Sequence, residues 1–140
     1  MSNRQPGILA PVPKLARYLS FSLKAGSKPG RTIRSLLELV DGEAVVAGMG
    51  QALVRALGGE IPGLRVFPTQ FGSGLILPSS PSALWCWLRG DDRGKLLHSG
   101  RKINAVVSSA FDLDSVIDGF QYDTGRDLTG YVDGTENPKG

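Results

Sequence analysis

From Arg17 to Lys24 the chain alternates. Leu19, Phe21 and Leu23 point one way while Tyr18, Ser20, Ser22 and Lys24 point the other, which is the period of a β-strand. Gly26-Ser27-Lys28-Pro29-Gly30 is a turn, and Pro29 suits the entry to a helix. Between Thr32 and Val40 the apolar positions Ile33, Leu36, Leu37 and Val40 fall at helical spacing, predicting an amphipathic helix that Asp41-Gly42 ends. Ala44 to Gly48 reads as a short apolar strand. Gln51 to Leu57 reads as a short helix with a left-handed stop at Gly58-Gly59.

Glu60 to Pro81 is rich in Gly, Pro and Ser and shows no period, so a long irregular loop is expected there. Ser82 to Arg89 predicts a third strand with two apolar faces, as in a sheet covered on both sides. Asp91-Asp92 favour the start of the next helix, which is expected to reach about Phe111 and to bury Leu96, Ile103, Val107 and Ala110. Leu113 to Tyr122 predicts the fourth main strand. The order strand, helix, strand, short helix, strand, helix, strand is the βαββαβ pattern of an α+β ferredoxin-like sandwich, an antiparallel sheet with helices on one face. Residues 1–15, with Pro6, Pro11 and Pro13, form an extended arm, and 16–125 form the domain.

Composition changes this picture little. The chain has 140 residues, 41% hydrophobic and 21% charged, ordinary values for one soluble globular domain. No apolar run is long enough for a membrane span, and none at the N-terminus suggests a secretory signal, so a cytoplasmic location and no membrane partner are expected. The single cysteine, Cys86, sits in an apolar run and is expected to be a buried structural thiol; no Cys/His cluster suggests zinc.

The net charge of +3 is unevenly spread. Arg4, Lys14, Arg17, Lys24, Lys28, Arg31 and Arg34 face only Glu38 among residues 1–40, whereas acids dominate after Phe111. The basic residues alternate with apolar ones and accompany no nucleic-acid motif, so no nucleic-acid partner is expected.

Chemistry concentrates in Arg126-Asp127-Leu128-Thr129-Gly130-Tyr131-Val132-Asp133-Gly134-Thr135-Glu136-Asn137-Pro138. Gly130 and Gly134 bracket one carboxylate and permit backbone angles or close approaches that a Cβ would block. Asp133 on such a turn could transfer protons against a planar ligand. An ordinary surface turn in which Asp133 caps its own backbone fits the residues too.

The string Gly130-Tyr131-Val132-Asp133-Gly134, continued by Thr135-Glu136-Asn137-Pro138, resembles the GxxDG signature of the dye-decolourising (DyP-type) haem peroxidases, in the form seen in their bacterial branch. Gln5-Pro6-Gly7-Ile8-Leu9 is similar to the family's N-terminal arm. Ala44 to Gly48 with Arg55-Ala56-Leu57-Gly58-Gly59 is similar to its second strand and short helix. The resemblance covers nearly the whole chain, in order.

The resemblance implies one half of the family's paired ferredoxin-like fold (the dimeric α+β barrel), with 126–140 as the distal, haem-side loop. It implies haem b as cofactor, an iron centre, and hydrogen peroxide with a dye or other reductant as substrates. Asp133 is implied as distal acid/base and as cofactor-binding together with Gly134, Thr135 and Glu136; Asn137 has a supporting turn role. The family's axial histidine lies well downstream of GxxDG, so it is expected beyond this chain, and no residue here is assigned to the metal.

His98, the only histidine, precedes the motif on an expected helix and is read as a surface residue. The chain alone is therefore expected to be inactive, as a truncated form of a longer enzyme or a natural short product. A lone half would expose a sheet face, and Trp85 and Trp87 could then drive association into a homo-oligomer. The alternative is a non-catalytic ferredoxin-like binding or dimerisation module. Trp85, Trp87 and Tyr18 are expected to pack in the core rather than to carry electrons.

Overall fold

A computed structural model describes residues 5–131. After a 3-10 turn at Pro6–Ile8, the elements are β1 (Leu15–Leu23), α1 (Gly30–Leu37), β2 (Val45–Met49), α2 (Gln51–Ala56), β3 (Gln70–Gly72), β4 (Leu75–Leu77), β5 (Leu84–Gly90), α3 (Arg93–Val107) and β6 (Phe111–Phe120). β2, β5, β1 and β6 form, in that spatial order, one four-stranded sheet whose neighbours are all antiparallel. This is the ferredoxin-like α+β arrangement, with α1 and α3 packed together and α3 laid against β1 and β5.

The alternation in β1 decides what is buried. Leu19 and Phe21 join Leu84, Cys86 and Leu88 of β5 against Ile33 and Leu36 of α1 and Leu96, Ile103 and Val107 of α3. Gly100 lets α3 approach β1, since a Cβ there would sit 3.3 Å from Arg17 Cδ. Cys86 is fully buried, and desolvation pushes its thiol up to about 12. Asp92 caps α3 by accepting from Lys95 N at 2.9 Å. Gly50 precedes α2 as its N-cap, and its N–H donates to Ala83 O at 2.8 Å. A Cβ on Gly50 would run into the carbonyl oxygen of Ser82, which is backbone and cannot swing aside. Gly50→Ala is therefore expected to destabilise the chain by about 1–3 kcal/mol, measurable as a lower urea midpoint.

Three expectations are corrected. The 60–81 segment carries a short hairpin, β3 with β4, turned by Gly74 at φ 75°. α3 stops at Val107, because Ala110 N turns back to Val107 O and Phe111 already pairs with Leu23. In α1, Ile33 and Leu36 are buried but Leu37 is 59% exposed, because this short helix buries a single row.

At the β1–β6 seam, Arg17 Nε meets Asp118 Oδ1 at 2.7 Å and Arg17 Nη2 meets Oδ2 at 2.8 Å. These guanidinium hydrogen bonds hold the Asp118 carboxyl below its usual range. The stabilisation is thus present above the ordinary carboxylate pKa and is lost as pH falls through the depressed one. Because Asp118 is partly exposed, the pair contributes under about 1 kcal/mol at neutral pH. Asp118→Asn is expected to cost that amount at pH 7 and nothing at the acid end, as read from urea unfolding across pH.

Candidate functional site

After β6 the chain leaves the sheet through a braced loop. Gln121 N still donates to Lys14 O at 2.9 Å; Gly125 N and Arg126 N then both return to Tyr122 O. Asp123 takes a left-handed φ of 48°, and its carboxylate lies 3.6 Å from Arg126 Nε. Arg126 Nη1 also donates to Gly130 O at 2.7 Å. Asp127 Oδ1 accepts from Thr129 N at 2.8 Å and from the Thr129 hydroxyl. The Thr129 hydroxyl is the main cause holding the Asp127 carboxyl below its usual range. Gly130, at φ 93°, donates to Asp127 O, and Asp127 N donates to Tyr131 O, both at 3.0 Å.

The arrangement is a side-chain-closed turn that runs to Tyr131, the last described residue. The Asp-x-Thr spacing signals such a turn in the sequence; the Arg126 brace carries no such signal.

The residues assigned to chemistry, Asp133, Gly134, Thr135 and Glu136, and the turn residue Asn137, lie outside the described residues. His98 is exposed on α3, and Cys86 is enclosed in the core. No group of three or more His, Cys, Asp or Glu gathers among the described residues.

Tyr18, Trp85 and Trp87 are not in the helix-side core. They lie half-buried on the opposite face of the sheet, because β1 and β5 alternate and Leu19, Cys86 and Leu88 take the helix side. Tyr18 stacks with Trp85 and Trp87 at ring-centroid distances of 5.8 and 6.1 Å. Arg89 closes this cluster, its guanidinium carbon 4.7 Å from the Trp87 ring centroid. Arg89 also donates to the carbonyls of Gly7 and Pro11, tying the N-terminal arm over this face. Trp87 Nε1 is buried with no partner among the described residues. An apolar groove of about 320 Å³ opens elsewhere, between α1, β2 and the arm, lined by Pro6, Ile33, Leu36, Val40, Met49 and Leu84. No residue of the 121–131 loop reaches it.

No family model matches the chain. A dye-decolorizing peroxidase of Rhodococcus erythropolis is 29% identical over 135 residues, covering 95% of this chain and 35% of the relative. The encapsulated DyP-type peroxidase from Mycobacterium smegmatis superposes with a TM-score of 0.73 at 26% identity, covering 98% of this chain and 48% of that one. The chain is similar in sequence and fold to DyP-type peroxidases. A DypB variant of Rhodococcus jostii RHA1 in complex with haem shares the fold, with a TM-score of 0.71 at 24% identity over 95% of this chain. The chain spans about half the length of these DyP-type structures and about a third of the Rhodococcus erythropolis relative. The likeness runs through the sheet and helices, so the ferredoxin-like half, and not the GxxDG string alone, carries the relationship. No helix among the described residues is long and apolar enough to cross a membrane.

Proposed function

We propose that this chain is the distal-side half of a haem-dependent DyP-type peroxidase of the cytoplasm, one that uses hydrogen peroxide to oxidise dyes or other reductants. The observation that supports it best is the superposition of 98% of the chain on a DyP-type peroxidase, combined with the GxxDG string that follows the braced loop. Haem b, when bound, supplies the redox centre that receives the oxidising equivalents of peroxide. This chain's part is to supply Asp133, two residues beyond the loop that Arg126, Asp127 and Gly130 brace. The Asp133 carboxylate takes the proton from one peroxide oxygen and returns it to the departing one, so the residue ends unchanged. Gly134, Thr135 and Glu136 are the residues that would contact the haem.

An imidazole to hold the haem iron would come from outside these 140 residues, since His98 is exposed on α3 and Cys86 is enclosed in the core. The reading is tested by dye bleaching with the protein completed to the length of its relatives. Oxidation should require both haem and peroxide. Bleaching that proceeds without either one contradicts it.

A further inference from the structure

The groove between α1, β2 and the N-terminal arm is built in two tiers. Ile33, Leu36 and Leu84 form its floor and belong to the buried core. Leu37 and Met49 stand at its rim, 59 and 47% exposed. At about 320 Å³ it has the size of a site for a small molecule rather than for a protein segment. The Gln5 amide beside it is already engaged, donating to Ala47 O and accepting from Ala47 N, both at 2.8 Å.

One charge faces this apolar surface. Among the described residues, Asp41 is the only ionisable one that lines the groove. Its Oδ1 accepts from Glu43 N at 2.9 Å and from Val45 N at 2.8 Å, which holds the carboxylate in place just beyond α1. No lysine or arginine forms an ion pair with it among the described residues.

We infer that this groove binds a small apolar cation, of the arylalkyl ammonium class, with its ring on Leu36 and Leu84 and its charge towards Asp41. Burial of the ring supplies the attraction, and the single carboxylate selects the sign of the charge. The inference is independent of the peroxidase reading.

The groove also stands apart from the face that further chain has reason to cover. The chain spans about half the length of the DyP-type structures it matches. On the helix side of the sheet, α1 and α3 already form a layer, and the groove opens between α1 and β2. The half-buried Tyr18, Trp85 and Trp87 lie on the opposite side, which carries no helix among the described residues.

The test is an NMR titration at neutral pH with 1-naphthylmethylammonium, its neutral alcohol and naphthalene-1-acetate, read at the methyl group of Met49. Met1 is the only other methionine. The ammonium should shift that signal with a dissociation constant on the order of 0.1–1 mM, as expected for a ligand of this size. The alcohol should bind more weakly and the acetate weaker still. Asp41→Asn keeps an acceptor for the two backbone N–H groups but removes the charge. It should weaken the ammonium roughly two- to fivefold and leave the alcohol unchanged. Leu37→Lys, at an exposed rim position, should keep the circular dichroism spectrum and weaken the ammonium by at least as much. The affinity should be the same in the 140-residue chain, in a variant lacking residues 1–4, and in the protein completed to its relatives' length. Equal affinity for ammonium and alcohol, or indifference to Asp41→Asn or Leu37→Lys, would overturn the inference. So would binding confined to the variant without residues 1–4, which would make the chain's own N-terminus the occupant. Binding lost in the completed protein would overturn it too, the groove then being covered by the remaining chain.

Discussion

Phe21→Ala is expected to remove a large share of the chain's stability. Phe21 is fully buried towards the C-terminal end of β1, flanked by Leu84 on β5 and Leu113 on β6, and its carbonyl accepts from Ala83 N at 2.8 Å. Removing a buried phenyl ring from a close-packed site costs about 3–5 kcal/mol, the transfer free energy plus the cavity left behind. A domain of this size has only about 5–15 kcal/mol in total. The backbone around Phe21 is tied on both sides, so the site cannot collapse to fill the void. Urea unfolding followed by tryptophan fluorescence should show the midpoint fall by at least about a fifth. A loss under about 1 kcal/mol would mean that the helix-side packing described above is wrong.

The second large effect concerns chemistry. In the complete haem-loaded protein, Asp133→Ala is expected to lower kcat/KM for peroxide by about 10²–10⁴, the usual contribution of a positioned acid/base. Asp133→Asn separates this from a purely structural turn. Asparagine serves a turn as well as aspartate does, so a turn residue would tolerate it with peroxide turnover nearly intact. A proton-transfer residue would lose as much activity in Asp133→Asn as in Asp133→Ala, with haem absorbance unchanged in both. Equal activity of Asp133→Asn and wild type would remove Asp133 from the mechanism.

Much of the fold was legible because burial imposes a period. Leu19 and Phe21 in β1, and Leu96, Ile103 and Val107 in α3, face the core as their spacing indicates. The hairpin of β3 and β4 was not legible, since all six residues are exposed and no buried face marks an alternation. Alternation in β5 likewise shows that Trp85 and Trp87 share a face but not that the helices lie on the other one. The clamp of Arg89 on Gly7 and Pro11, some eighty positions away, leaves no local trace. At the site, GxxDG was recognisable as a string, and Gly130 takes a positive φ of 93°. The Arg126 bond to a backbone carbonyl was not readable, because almost any loop could offer that acceptor.

The most direct test of the central claim is a haem titration followed by Soret absorbance, on the 140-residue chain and on the protein completed to its relatives' length. The account predicts stoichiometric haem binding and peroxide-dependent dye oxidation for the completed protein, with no stable haem complex for the short chain. If the short chain binds haem one to one and turns over peroxide, the axial ligand lies within it and His98 must be reconsidered. A completed protein that binds no haem would contradict the peroxidase reading itself.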